Sequence, residues 1–209
     1  MAPDRFITIT FDDGPFDHSD RLLGILAEHD VRATFFLIGG NINARLWQAK
    51  RMSEAGHDVA NHSWGWSSLG TPSPGVDAIR KSLGDTSALI KEATGKPPAF
   101  FRAPNLNLGA DLEMVAGEMG MSIIGATANS HDWRDIPTAE IVNNALYSVK
   151  DGGIILLHEF HSGSRRTEWA VPEIICSLRA RGFAIVPLSK LVEIKGATLE
   201  PGAIFNSIN

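Results

Sequence analysis

The feature that most constrains this fold is a regular alternation of short apolar runs with segments of helical periodicity. Apolar residues recur at helical spacing in six segments, and glycines suited to C-terminal caps follow four of these, at Gly56, Gly95, Gly120 and Gly182. The apolar runs are bounded by Gly, Pro and polar residues and predict seven strands: Phe6–Phe11, Ala33–Ile38, Asp58–Ala60, Ala99–Phe101, Ser122–Ala126, Ile154–Leu157 and Phe183–Val186.

This alternation restricts the architecture to two choices. Strands that alternate with helices imply a mostly parallel sheet, and strands that are nearly all apolar imply burial on both faces. A complete eight-unit barrel typically needs about 250 residues, whereas this chain has seven units in 209 residues. The sequence therefore predicts an α/β fold, a distorted (β/α)7-type barrel that forms a single domain over residues 1–209. An open doubly wound sheet is the alternative.

Charge and hydropathy exclude several classes of partner. The chain carries 19 Lys and Arg against 24 Asp and Glu, a net charge of -5, and it has no basic run, which argues against nucleic acid. No apolar stretch approaches the length of a membrane span, so no membrane insertion is expected. The N-terminus shows no signal peptide, so the protein is expected to be cytoplasmic, or secreted if a leader was removed. The single cysteine, Cys176, is predicted to be a small buried residue on a helix.

Polar side chains follow five of the predicted strands. Each has a simpler interpretation on its own, since Asp-Asp-Gly-Pro is typical of a turn and a lone histidine is usually structural. The carboxyl ends of parallel strands share one rim, however, and five such coincidences favour an active site there. The segments are Asp12-Asp13-Gly14-Pro15, Asn61-His62-Ser63, Arg102-Ala103-Pro104, Asp132-Trp133 and His158-Glu159.

The residue types at this rim suit metal-assisted hydrolysis. Side chains alternate along the first strand, so Asp12 and Asp13 are predicted to project in different directions and to take different roles. Aspartate and imidazole are good zinc ligands, which makes Asp13 with His62 the start of a metal site. Asp12 is then the candidate base for a water at the metal, and His158 is the candidate acid for the leaving group.

Other rim residues are candidates for supporting roles. Arg102 and Asp132 are predicted to form an ion pair that holds the base in place. Trp64, Trp66 and Trp133 fall in predicted rim loops, where indole rings can stack on sugar faces, although packing in the core explains each of them equally well.

The motifs resemble those of the polysaccharide deacetylase family, carbohydrate esterase family 4, which includes the chitooligosaccharide deacetylases. The resemblance runs from about Phe6 to about Leu191 and implies a distorted barrel that removes N- or O-acetyl groups from chitin, chitooligosaccharides, peptidoglycan or xylan. The matching segments occur in the family's order: Thr10–Pro15, Gly56–Trp64, Arg102–Pro104, Asp132–Trp133 and Leu156–His158.

The resemblance also implies catalytic roles. Asp12 is expected to be the general base and His158 the general acid. Arg102 and Asp132 are expected to orient the base.

For the metal, the resemblance implies that Asp13 and His62 bind a divalent ion, zinc first, with cobalt or nickel as alternatives. The family usually carries a second histidine four residues after the first, and Trp66 stands there in this chain. An indole cannot ligate zinc, so one expected ligand is missing. Two protein ligands with waters are expected to hold the metal only loosely, unless another residue supplies a third ligand. The candidates are His161, His131 and His18.

The substrate pocket departs from the family in two further places. The third motif usually continues with Tyr, where this chain has Asn105, whose backbone N–H is still expected to serve the oxyanion. The fourth motif often begins with Asp, where Asn129 stands here. Trp133 and Leu156 are expected to shape the pocket for the acetyl methyl group, and Trp66 to contact the substrate.

The leading hypothesis is therefore a metal-dependent hydrolase that removes acetyl groups from an N- or O-acetylated sugar or oligosaccharide. Two alternatives remain open. One is a carbohydrate-binding protein on the same scaffold with a weakened metal site, and the other is a small-molecule amidohydrolase.

Overall fold

A parallel sheet forms the centre of the molecule and helices cover it. The computed structural model describes residues 4–66, 75–159 and 165–209. The strands are β1 (Arg5–Asp12), β2 (Thr34–Leu37), β3 (Asp58–Asn61), β4 (Phe100–Phe101), β5 (Ser122–Ile124), β6 (Ala128–Asn129), β7 (Gly153–His158), β8 (Phe183–Ile185) and β9 (Ile204–Phe205). The helices are α1 (Ser19–Glu28), α2 (Gly39–Ala44), α3 (Leu46–Glu54), α4 (Val76–Thr94), α5 (Ala110–Glu118), α6 (Thr138–Tyr147), α7 (Arg166–Ala180) and α8 (Leu188–Lys195), with a 3-10 turn at Pro104–Leu106.

The sheet curls into a distorted barrel, as the sequence predicts. Its strand order is β6-β7-β1-β2-β3-β4-β5-β9, and every pair along this path is parallel. The distortion is centred on β1, which pairs with β8 at its beginning and with β2 at its end. The C-terminal segment draws the far edges together, because β9 pairs with β5 while Ser207 bridges to Gly153 at the start of β7.

The register of the strands places the site. Asp12 at the end of β1 is level with His158 of β7 on one side and with Phe36 of β2 on the other. Asn61 ends β3 and is level with Phe101 of β4. The residues that follow, including Asp13, His62 and Arg102, therefore emerge together at one rim of the barrel.

Burial on both faces of the strands is confirmed along β1. Ile7, Ile9 and Phe11 pack into the large core beneath the helices. Thr8 and Thr10 on the opposite face are also fully buried, and the hydroxyl of Thr10 donates a hydrogen bond to the carbonyl of Ile155 at 2.8 Å.

All seven predicted strands are present, and the structure adds elements that the sequence pattern did not indicate. The added strands β6 and β9 have two residues each, and the added helices α2 and α8 have six and eight, which is too short for a clear periodicity. The four predicted cap glycines are confirmed, with φ between 74° and 84°.

The prediction for Cys176 is wrong. The residue lies on α7 between buried Ile175 and buried Leu178, but its own side chain is exposed. Neighbouring positions on one helix face different directions, and Cys176 is on the outer side. Within the described residues, no helix is both long enough and apolar enough to cross a membrane.

Candidate active site

A cavity of about 600 Å3 opens at the rim formed by the carboxyl ends of the strands. Its volume is in the range typical of ligand sites. The two predicted site residues that do not line it, Arg102 and Asp132, are buried. The eight that line it are Asp12, Asp13, His62, Trp66, Asn105, Trp133, Leu156 and His158.

Asp12 is held by the fully buried side chain of Arg102. One guanidinium nitrogen donates hydrogen bonds of 2.7 Å to Asp12 Oδ1 and to Thr10 Oγ1. The other two nitrogens donate to the backbone carbonyls of Ile124 and Gly125, at 3.1 and 2.8 Å. Backbone carbonyls thus fix the guanidinium group on one side. The guanidinium group in turn fixes Oδ1 of Asp12, and Oδ2 of Asp12 takes no part in this pair.

The predicted ion pair between Arg102 and Asp132 is wrong. Asp132 instead accepts hydrogen bonds from the ring Nδ1 of His158 at 2.7 Å, from the His158 backbone N–H at 2.8 Å and from Thr167 Oγ1 at 2.7 Å. The reason is the strand order: Asp132 follows β6, which lies beside β7 and His158, whereas Arg102 follows β4 and reaches across the barrel to Asp12. Asp132 therefore orients His158 and not the base.

The electrostatics of this second pair favour a charged imidazole. Burial alone would lower the pKa of His158, but Asp132, with the carboxylates of Asp12 and Asp13, raises it to about 9. Burial alone would raise the pKa of Asp132, and its hydrogen bonds with His158 and Thr167 lower it instead. At neutral pH His158 carries a proton that it can give away.

The carboxylates of Asp12 and Asp13 converge and do not diverge. Asp13 has a φ of 79°, and this left-handed conformation breaks the alternation along β1 that predicts opposite directions. His62 Nε2 consequently lies 3.4 Å from Asp13 Oδ1 and 3.8 Å from Asp12 Oδ2.

His62 is oriented so that one ring nitrogen faces the carboxylates. Its Nδ1 lies 2.7 Å from the backbone carbonyl of Arg102, so Nδ1 donates and Nε2 is left to act as a ligand. Burial alone would lower the pKa of His62, but Asp12, Asp13 and this carbonyl raise it. The pKa of Asp13 is lowered, because its bonds with His62 and Trp66 and the nearby His158 outweigh the opposite effect of burial.

Trp66 contacts the predicted metal ligand directly. Its indole N–H donates a hydrogen bond of 2.6 Å to Asp13 Oδ1. In residues 4–66, 75–159 and 165–209, no three His, Cys, Asp or Glu side chains are arranged to hold a metal ion. The donor pair that remains is Asp13 with His62.

Two of the three candidates for a third ligand lie outside this cavity. His18 stacks on Phe16 at the start of α1, with ring centroids 5.6 Å apart, and His131 packs against Trp133 at 6.5 Å. Neither histidine lines the cavity. The third candidate, His161, lies outside the described residues.

The remaining wall is formed by the loops after β4 and β6. Asn105 and Leu106 both adopt left-handed conformations, with φ of 56° and 54°, and the two side chains line the cavity. Trp133 is 41% exposed and Leu156 is buried at the floor, so the cavity has an open aromatic edge above an apolar base. Asn129 also lines it.

The sequence did not point to two contacts of the site. Thr167 at the start of α7 binds Asp132, and nothing in the local sequence distinguishes it from a helix-start residue. Phe16 also lines the cavity, and the one signal that could have found it is its position directly after Asp12-Asp13-Gly14-Pro15.

Comparison with known proteins agrees with this geometry. A sequence profile described as polysaccharide deacetylase matches residues 1–124. A bifunctional xylanase/deacetylase of Pseudobutyrivibrio xylanivorans is 34% identical over 200 residues, which cover 92% of this chain and 31% of the relative. The peptidoglycan-N-acetylglucosamine deacetylase PgdA of Listeria monocytogenes is 30% identical over 186 residues, 88% of this chain and 38% of PgdA. The chain thus spans about a third of the length of these relatives.

Among solved structures, a family 4 acetyl xylan esterase from Clostridium thermocellum, in complex with a cobalt ion, superposes with a TM-score of 0.90 at 32% identity. The match covers 98% of this chain and 99% of the esterase. The chain belongs to the polysaccharide deacetylase family.

Proposed function

We propose that this protein is a metal-dependent carbohydrate deacetylase. The observation that carries the proposal is the convergence of two buried carboxylate pairs, Asp12 with Arg102 and Asp132 with His158, on one cavity beside the Asp13 and His62 donors. One pair presents the second carboxyl oxygen of Asp12, which lies 3.8 Å from His62 Nε2, and the other presents a protonated imidazole. The site therefore offers a candidate general base and a candidate general acid side by side.

The donor set fits a divalent cation. Asp13 offers a carboxylate, and His62 offers Nε2 with its other nitrogen tied to a carbonyl, which is the usual arrangement of a metal-binding histidine. Held by these two residues, a divalent cation would polarise the acetyl carbonyl and make a water more acidic. Zinc suits one oxygen and one nitrogen donor, and cobalt in the similar acetyl xylan esterase supports a divalent ion of this kind.

The chain's own residues divide the work of hydrolysis. Asp12, fixed by Arg102, accepts a proton from the attacking water. His158, fixed by Asp132, donates its proton to the departing amine or alcohol. We assign the role of oxyanion donor to the backbone N–H of Asn105. This residue lines the cavity, and the next two amides of its turn, those of Leu106 and Asn107, are bonded to carbonyls.

The cavity suits an acetylated sugar. Leu156 gives an apolar floor that fits an acetyl methyl group, and Trp133 gives an exposed ring at the edge that fits the face of a pyranose. The similar proteins are named for action on xylan and on peptidoglycan. The proposed substrate class is therefore an acetylated polysaccharide or oligosaccharide, with chitooligosaccharides included.

Acetate release tests this proposal. The protein would be stripped with a chelator, reloaded with zinc or cobalt, and offered acetylated xylan, peptidoglycan fragments and chitooligosaccharides. We expect acetate from at least one of these, lost on chelation and restored by metal. Hydrolysis of a small acetamide but of no oligomer would favour an amidohydrolase instead.

A second candidate rests on Trp66. Because its N–H already occupies one oxygen of Asp13, a carbohydrate-binding protein with a weakened metal site is the competing function. Saturable binding of an acetylated oligosaccharide, with no acetate released at any metal concentration, would establish it and contradict the deacetylase.

A further inference from the structure

Glu159 is a buried acid at the end of β7 that none of the roles above uses. Its side chain is only 3% exposed. Burial raises its pKa to about 8; the hydrogen bond from Ser19 opposes this rise, and the charge of Asp13 adds to it.

Glu159 contacts both ends of the turn that carries the metal ligand Asp13. Its backbone N–H donates to the carbonyl of Asp12 at 3.0 Å. Its Oε2 accepts a close hydrogen bond from the hydroxyl of Ser19, and that hydroxyl accepts from the Phe16 N–H at 2.8 Å. The backbone of Glu159 thus binds residue 12 of the turn, and its carboxyl group reaches residue 16 through the hydroxyl of Ser19.

Gly14 in the middle of this turn shows how closely the carboxyl packs. A Cβ built on Gly14 would lie 1.7 Å from Oε1 of Glu159 and 2.3 Å from its Cδ. The φ of Gly14 is not in the left-handed region, so no conformational need explains the glycine. The residue is a glycine because the Glu159 carboxyl occupies the space of a side chain.

The opposite side of the turn is anchored by β2 and α2. The N–H of Asp13 donates to the carbonyl of Phe36 at 3.1 Å, and the N–H of Ile38 donates to the carbonyl of Gly14 at 2.9 Å. The side chain of Asn41 donates to the carbonyl of Asp13 at 2.7 Å. Asp13 is therefore held between this anchor and Glu159, and loss of either leaves it supported on one side.

We propose that Glu159 is a positioning residue whose carboxyl group holds the turn of residues 12–16 against β7, so that Asp13 keeps the place from which it binds the metal. The inference rests on the proposed function, because it takes Asp13 to be a metal ligand.

Zinc affinity tests the proposal independently of catalysis. The dissociation constant for Zn2+ would be measured by competition with a chelator in Glu159→Ala and Glu159→Gln, and kcat and KM in parallel. We expect Glu159→Ala to weaken zinc binding by about 10- to 100-fold, as loss of a residue that orients a metal ligand typically does. Glu159→Gln should restore most of the affinity, because its amide oxygen can still accept from Ser19.

Asp58 provides a matched control. It accepts hydrogen bonds from the backbone N–H and the hydroxyl of Ser189, at 2.7 and 2.8 Å, at the beginning of β3 and so at the far end of the strands. Asp58→Ala removes more side-chain hydrogen bonds than Glu159→Ala does, and it should lower the melting temperature without changing zinc affinity. Should Glu159→Ala fail to fold, Ser19→Ala removes the bridge to Phe16 alone and should weaken zinc binding in the same direction.

A double-mutant cycle sharpens the test. Gly14→Ala alone should weaken zinc binding, because the new methyl group collides with the carboxyl of Glu159. The same change in the Glu159→Ala background should add little further loss. Native zinc affinity in Glu159→Ala, or equal damage by Gly14→Ala in both backgrounds, would overturn the proposal. Native protein that binds zinc but releases no acetate would refute the deacetylase alone, and native protein that binds no zinc would overturn both.

Discussion

The two sides of the cavity differ in how completely their polar groups are paired. On the proton-transfer side, Asp12 and Asp132 each have a cationic partner at 2.7 Å, and Arg102 is held in addition by two backbone carbonyls. On the metal side, Asp13 lies 3.4 Å from His62 and accepts a hydrogen bond from the neutral indole of Trp66, which stands where a third ligand is expected.

This difference shows which part of the site the chain specifies most strongly. A buried carboxylate is costly without a partner, so loss of either acid–cation pair would destabilise the folded barrel. Asp13 on the metal side is also buried, but its hydrogen-bond partner is the neutral indole of Trp66. A bound cation would add a charge there, and the predictions below test each side in turn.

The largest effect is expected from Asp12→Asn, on the proton-transfer side. The amide keeps a hydrogen-bond acceptor for Arg102 but cannot take a proton from water. Turnover should fall by about 10²- to 10⁴-fold while zinc affinity is retained. Steady-state rates with zinc content measured on the same sample provide the check, and near-native turnover would remove Asp12 from the mechanism.

Arg102→Ala tests the pairing of the same side through stability. It leaves the buried carboxylate of Asp12 without a cation, and loss of one partner of a buried pair typically costs about 3–5 kcal/mol. The control is Arg80→Ala, which removes a half-exposed pair with Glu118 and should cost less than about 1 kcal/mol. Urea unfolding of both variants measures the free energy of unfolding that each loses. Equal losses would mean that the buried pair of Arg102 and Asp12 stabilises the protein no more than the half-exposed pair does.

Asp132→Asn tests the acid. His158 must be protonated to donate, and with a pKa of about 9 it stays protonated at neutral pH and loses its proton as the pH rises through that value. The substitution removes the charge that raises this pKa while burial still lowers it, so the titration should move to lower pH. A bound cation would change the pKa of His158 in the same direction in the native protein and in the variant. The basic limb of the rate profile should therefore also move to lower pH in the variant. NMR titration of His158 in metal-free protein checks the first effect, and an unchanged midpoint would contradict it.

The contrast between the two sides also explains what the sequence could and could not predict. Strand ends are visible in apolar runs, so the rim that carries Asp12, His62 and His158 follows from the pattern alone. Which side chains pair across the rim depends on strand order and on one backbone angle. The expected Arg102 and Asp132 pair fails because β6 lies next to β7, and the expected divergence of Asp12 and Asp13 fails because of the φ of 79° at Asp13.

The apolar periodicity of the sequence could not predict contacts between single residues that are far apart along the chain. Thr167 reaches Asp132 from 35 positions away, and Ser19 reaches Glu159 from 140. No local periodicity encodes such pairs, because they arise only when α7 and α1 pack against the finished sheet. The substitution at Trp66 was visible in the sequence, but its hydrogen bond to Asp13 was not.

The smallest effect is expected on the metal side, from Trp66→His. The indole nitrogen lies 2.6 Å from Asp13 Oδ1, so a ring at this position already reaches the predicted ligand. An imidazole here supplies a nitrogen that can ligate, and it frees the Asp13 oxygen from the N–H. Zinc should bind at least about tenfold more tightly, equivalent to about 1.4 kcal/mol. Because Trp66 is 54% exposed, loss of its ring should leave little buried cavity to offset this gain.

Trp66→Phe separates the two causes. It removes the N–H from Asp13 without adding a ligand, so zinc affinity should rise less than in Trp66→His. The measurement is zinc competition with a chelator for the native protein and both variants. All three are compared at one pH, because protons compete with zinc for the histidine nitrogens. Equal affinities in the native protein and Trp66→His would mean that a ligand outside the described residues completes the site. His161 would then be the residue to change, and the contrast between the two sides would no longer hold.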